Sequence, residues 1–155
     1  MGAAANPPMT DSPRYLFVYG TLLSEAQHPM GDLLQAHATE HADGVIQARL
    51  YLITEEDSLG TNTYPGAVPS PHSEDKVHGK VFAVYDPEAI FPAFDEFEAC
   101  APGRPEPYEF LLRPIDVLLK NGGTLRAEAY LYTWDTSRAV HLPSGRYSED
   151  ATGVR

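Results

Sequence analysis

The run Tyr15-Leu-Phe-Val-Tyr-Gly-Thr-Leu22 restricts this chain more than any other stretch. Its aromatic and β-branched residues favour a buried strand. The strand stops at Gly20, where the missing Cβ lets the backbone turn and bring N–H groups close to a ligand. A Ser-Glu-Ala-Gln tract begins soon after, at Ser24. A strand that feeds through a glycine loop into a helix is suited to holding a small anion.

The bulk properties narrow the setting. With 155 residues, 43% of them hydrophobic, the chain suits one domain with a sizeable core. A formal net charge of −11, from 22 acidic against 11 basic residues with no run of Lys and Arg, argues against nucleic acid or a membrane surface as partner. Cys100 is the single cysteine, which excludes an intramolecular disulfide and a cysteine-based zinc cluster and fits a reducing, cytoplasmic setting. The first residues, MGAAANPPMTDSPR, lack the charged head and apolar core of a signal peptide, and no run reaches the roughly 20 apolar residues of a spanning helix. Asn6 stands where a myristoylation signal has Ser or Thr. Residues 1–13 are expected to be a flexible leader, 14–148 the single domain and 149–155 a flexible tail. Oligomeric state is not readable from these features.

Between the tails the pattern is mixed α+β. Strands are expected at 14–19, 45–53, 77–85, 109–119 and 125–134, the last two joined through Asn121-Gly122-Gly123, a strong hairpin signal. One helix is expected from Ser24, its N-cap, to His37, with Met30, Leu33, Leu34 and His37 at helical spacing. A second begins after Asp86-Pro87, with Pro92 limiting how early it becomes regular. The segment Asp57–Asp75, rich in Pro and Gly, reads as a long loop serving a site.

The second helix carries Glu98. Advancing about 100° per residue from Ile90 puts Phe91, Phe94 and Phe97 on one stripe with Glu98 inside it, while Asp95 and Glu96 project toward solvent. A carboxylate among phenylalanines has its charged form disfavoured by desolvation, which raises its pKa toward that of a proton shuttle. The competing reading leaves Glu98 solvated at the helix end. Other residues carry similar alternatives. His37-Ala-Thr-Glu-His41 matches the HxxEH pattern of a helical zinc site, although Ala42-Asp43-Gly44 ends any helix at once and no wider ligand framework follows. His28, His72, His78 and His141 are scattered and read as surface or loop residues, Cys100 as a small packed hydrophobe, and Ser24 and Ser144 lack a nucleophile elbow. Tyr64 and Tyr108 either line a pocket or fill the core.

Six landmarks, in order and at matching spacing, resemble the gamma-glutamylcyclotransferase-like family over residues 14–148. They are YGTL at 19–22, the Tyr64-Pro65-Gly66-Ala67-Val68 loop, the Val77-His78-Gly79-Lys80-Val81 strand, FDEFE at 94–98, Tyr108, and SGRY at 144–147. The resemblance implies a small β-barrel with flanking helices. It also implies that Tyr19, Gly20, Thr21 and Leu22 cradle a γ-glutamyl or 5-oxoproline moiety and that Glu98 is the catalytic acid/base. The implied reaction releases 5-oxoproline by amine-expelling cyclisation of a small γ-glutamyl compound, with no metal and no cofactor. The alternative is a non-catalytic binding module for a small carboxylate or γ-glutamyl metabolite. Phe94 departs from the family's usual leucine, Ala99 and Cys100 stand where a glycine is common, Phe110 replaces an arginine for which Arg113 is the nearby substitute, and SGRY replaces a more usual SGDW.

Overall fold

The computed structural model describes residues 13–19, 29–58, 60–97, 103 and 106–147. The expected leader and tail lie almost wholly outside these residues. The elements in chain order are β1 (Arg14–Val18), α1 (Pro29–His37), β2 (Ala38–Ile46), β3 (Ala48–Asp57), β4 (Gly60–Pro69), β5 (Val77–Val84), α2 (Pro87–Phe97), β6 (Phe110–Leu119), β7 (Thr124–Tyr132) and the short β8 (Val140–His141). Five strands close a barrel in the order β1-β5-β2-β6-β7, and β4-β3-β8 form a second sheet. The fold is thus mixed α+β, with a small closed barrel and, among the described residues, two helices. No helix among the described residues is long and apolar enough to cross a membrane.

Side-chain alternation along β1 explains why two cores exist. Phe17 and Tyr19 join a first cluster with Ile46, Leu50, Val81, Val117 and Leu131, whereas Leu16 and Val18 face a second. The second cluster receives Leu34 from α1 and Ile90, Phe91 and Phe94 from α2. These α2 residues recur at helical spacing, so one face of the helix is removed from water against β1. Burial of such side chains contributes about 1.5–3 kcal/mol each, which fixes the helix on this wall of the barrel.

The β6–β7 hairpin forms as expected from Asn121-Gly122-Gly123. Gly122 takes a φ of 103° and the Leu119 N–H donates to the Gly123 carbonyl at 2.7 Å. Other expectations need correction. The strand expected over 45–53 is two strands, because the chain bends at Gln47 and leaves the barrel for the second sheet. Residues 38–46 pair along β5, although their polar residues conceal a strand pattern. The expected loop 57–75 contains β4, which pairs with β3 from Ala48↔Pro69 to Asp57↔Gly60, so the Tyr64–Val68 landmark is strand. Prolines are tolerated there because β4 lies at the edge of its sheet. Gly66 fits closely under Tyr132, since a Cβ would sit 3.0 Å from that side chain and would require it to shift. Finally, α2 starts at Pro87 and continues through Pro92. Pro92 and Glu88, whose carbonyl loses its helical donor, are both exposed residues on the side of the helix away from the core.

Candidate functional site

Tyr19 directly follows β1 and has its hydroxyl buried. It donates to the Tyr130 carbonyl at 2.6 Å and accepts from the Ala67 N–H at 3.1 Å. One phenol thereby joins the end of β1 to β7 and to β4. Gly79 tightens the same place: a Cβ on it would lie 2.4 Å from the Val18 carbonyl oxygen.

The direction of α2 follows from two contacts. The Arg14 guanidinium, near the start of β1, sits 3.9 Å over the Phe91 ring and also pairs with Glu128 at 2.5 Å. Further along, the Tyr130 hydroxyl donates to Asp95 at 2.7 Å. Leu16 pairs with Glu128 in the parallel β1–β7 contact, so Tyr130 lies toward the Tyr19 end of β1. Helix and strand therefore advance in the same sense, and the helix finishes at the end of the barrel where β1 finishes. Tyr130 serves both, its carbonyl toward Tyr19 and its hydroxyl toward α2. Asp95 is consequently half-buried against Tyr130, a correction to its expected solvated position.

Tyr64 is half-buried and donates its hydroxyl to Glu109. Its ring lies 6.2 Å from Phe110, which meets Tyr132 edge-on at 5.3 Å. Burial raises the pKa of Glu109 and outweighs the Tyr64 hydrogen bond, which lowers it. The Tyr64 phenol is pushed well above its ordinary value, first by burial and then by the bonded Glu109. Tyr108 is half-buried beside them, its carbonyl accepting from Thr133 Oγ1 at 2.5 Å. Sequence reasoning read Asp95 as solvated and passed over Glu109 and Tyr130. The alternation of Tyr130 and Tyr132 along a strand was the available signal for the last.

Gly20, Thr21, Leu22 and Glu98 lie outside the described residues, as do His28, Cys100 and Ser24. Arg113 lies exposed on β6 in register with Ala129. The zinc motif loses its geometry: His37 ends α1, whereas His41 belongs to β2 and packs its ring on Tyr15 at 5.1 Å. His37 meets Asp86 at 3.3 Å. Among the described residues no group of His, Cys, Asp and Glu is arranged to hold a metal. His78, expected at the surface, is a half-buried residue of β5 and lines a cleft of about 590 Å³ together with Tyr19 and Tyr147.

The sequence from residue 16 to residue 149 matches the family described as gamma-glutamyl cyclotransferase, AIG2-like. The chain is similar in fold to an AIG2-like protein from Mus musculus, at 18% identity and a TM-score of 0.67 over 93% of this chain and 95% of that one. It is also similar to an uncharacterised protein from Pyrococcus horikoshii, at 20% identity and a TM-score of 0.54 over 90% and 94% of the two chains. A gamma-glutamyl cyclotransferase matches at 16% identity and a TM-score of 0.57, over 79% of this chain and 68% of that one. No curated protein matches the sequence.

Proposed function

The chain belongs to the gamma-glutamyl cyclotransferase, AIG2-like family, and on that premise we propose that it cyclises the γ-glutamyl group of a small peptide or amine, releasing 5-oxoproline. One observation carries the proposal. The strand that leads into Gly20-Thr21-Leu22 and the helix that leads into Glu98 run side by side in the same sense, tied through Tyr130 to Tyr19 and Asp95. Two elements that end side by side at one end of a barrel support the reading that the residues following them, 20–22 and Glu98, serve a single site.

The residues then divide the chemistry. Backbone N–H groups of residues 20–22 receive the α-carboxylate or the oxyanion that develops on the γ-carbonyl. Holding the glutamyl chain curled brings its α-amine to that carbonyl, which supplies the proximity a five-membered ring closure needs. The new bond joins the α-nitrogen to the γ-carbon, and the bond from the γ-carbon to the leaving nitrogen breaks. Glu98 takes one proton from the α-ammonium and returns one to the departing amine, so proton count balances and no water is consumed. Tyr64 and Tyr108 are proposed to border the substrate.

A mass-spectrometric panel of γ-glutamyl dipeptides, γ-glutamylamines and glutathione, scored for 5-oxoproline, tests the reading. Release from at least one member is expected. Binding without release across the panel would identify a non-catalytic module for γ-glutamyl metabolites instead.

A further inference from the structure

The last turn of α2 is held against its own electrostatics. A helix leaves its final carbonyls without internal partners and presents a partial negative charge at its C-terminal end. Basic residues there offset that charge, yet α2 has none in its last turn and carries Asp95 and Glu96 instead. Pro92, one turn earlier, removes a further backbone hydrogen bond. A helix end of this composition is prone to fray unless a neighbouring element tethers it.

Tyr130 of β7 supplies a tether. It is 5% exposed, its ring stacks on that of Phe94 at 6.2 Å with an interplanar angle of 29°, and its hydroxyl donates to Asp95 Oδ1 at 2.7 Å. The Tyr130 backbone is fixed independently of that hydroxyl, since its carbonyl accepts from Tyr19 and the β6–β7 register pairs it with Leu112. Ile90, Phe91 and Phe94 anchor the body of the helix in the second core. These apolar contacts fix where α2 lies, whereas the hydroxyl bond is a directional contact at its last turn. Glu98 follows Asp95 by three residues and comes directly after the helix end at Phe97, so a displacement of that turn is transmitted to it through one peptide bond.

We propose that Tyr130 and Asp95 are positioning residues, whose hydrogen bond holds the last turn of α2 and, through it, the carboxyl group of Glu98 in its working orientation. The inference rests on the cyclotransferase reading above and gives neither residue a contact with substrate. Catalysis by proximity is sensitive to such a support, because a displacement of about 1 Å can cost on the order of 100-fold in rate.

The test compares kcat and KM for 5-oxoproline release by the parent, Tyr130→Phe, Asp95→Ala, the double variant and Asp95→Asn, each well below its melting midpoint. Tyr130→Phe keeps the ring on Phe94 and removes only the hydroxyl. It should lower kcat by about 10-fold or more and leave KM within about 2-fold. Asp95→Ala should match it, and the double variant should be no slower than either single one, because both lose the same bond. Asp95→Asn keeps an oxygen that accepts the hydroxyl and should recover most of the loss. Residues that only stabilised the fold would lower the melting midpoints and leave kcat of the folded variants at the parent value. That result, losses that multiply in the double variant, or an Asp95→Asn protein as slow as Asp95→Ala would overturn the inference while leaving the cyclotransferase reading intact.

Amide hydrogen exchange gives a readout that needs no turnover. Exchange at residues 94–96 should be about 10-fold faster in Tyr130→Phe than in the parent, with the amides of Ile90 and Phe91 unchanged. If the parent cyclises no compound but exchange accelerates in this way, the tether stands and the reaction assignment falls. Exchange equal to that of the parent rejects the tether.

Discussion

Tyr19 shows how one side chain stabilises the end of a strand. Replacing Tyr19 by Phe keeps the ring in its cluster but removes the hydroxyl shared by the Tyr130 carbonyl and the Ala67 N–H. Leaving a buried backbone donor unpaired costs about 1–3 kcal/mol, and chemical denaturation should report a loss of that order with the barrel's far-ultraviolet spectrum unchanged. An undiminished midpoint would mean that Ala67 finds another acceptor. Glu109 makes a prediction of opposite sign. Its folded pKa lies above the ordinary 4.5 because burial penalises the carboxylate. A carboxyl of this kind binds its proton more tightly in the folded state. Its favourable contribution is present below pH 4.5 and is lost as pH rises through the folded value. Glu109→Gln should therefore be more stable than the parent at neutral pH, with the difference shrinking as pH falls toward 4.5. Paired thermal melts across that range check it, and a difference independent of pH would contradict it.

At the scale of elements, the fit of β1 against β5 depends on Gly79. A methyl group there would meet the Val18 carbonyl at 2.4 Å and the Phe17 ring at 2.7 Å. Gly79→Ala should destabilise by about 1–3 kcal/mol, the cost of overpacking, measured as a lowered denaturation midpoint. A stability equal to that of the parent would show that the two strands separate freely. How much of these elements was legible depended on which residues carry the signal. The strands at 14–18 and 77–84, the hairpin at Asn121-Gly122-Gly123 and the apolar stripe of α2 declare themselves through alternation, turn chemistry and helical spacing. The strand β4 did not, because Pro65, Gly66 and Pro69 are turn formers locally and are accommodated only through an edge position and the Tyr132 ring. The strand β2 was hidden by Thr39, Glu40, His41 and Asp43, exposed residues that say nothing about their pairing with β5.

The whole molecule adds what no single element holds. Composition describes an acidic protein with scattered cations, yet folding collects Lys76, Lys80, Lys120 and Arg146 around one cleft. Sequence reading could not anticipate this, since residues far apart in the chain become neighbours only through barrel closure. The parallel course of β1 and α2 is likewise a tertiary fact, fixed by Arg14 over Phe91 and by Tyr130 against Asp95. It supports the proposed pairing of Glu98 with residues 20–22, which sequence reading approached through resemblance and the stripe around Ile90 and Phe94.

That pairing is tested most directly by following a γ-glutamyl dipeptide in ¹⁸O-water with the parent protein and with folded Glu98→Gln. The account predicts that the parent forms unlabelled 5-oxoproline in equal amount to the released amine, and that the Gln variant forms neither. Labelled glutamate from the parent, or undiminished 5-oxoproline from the variant, would contradict it.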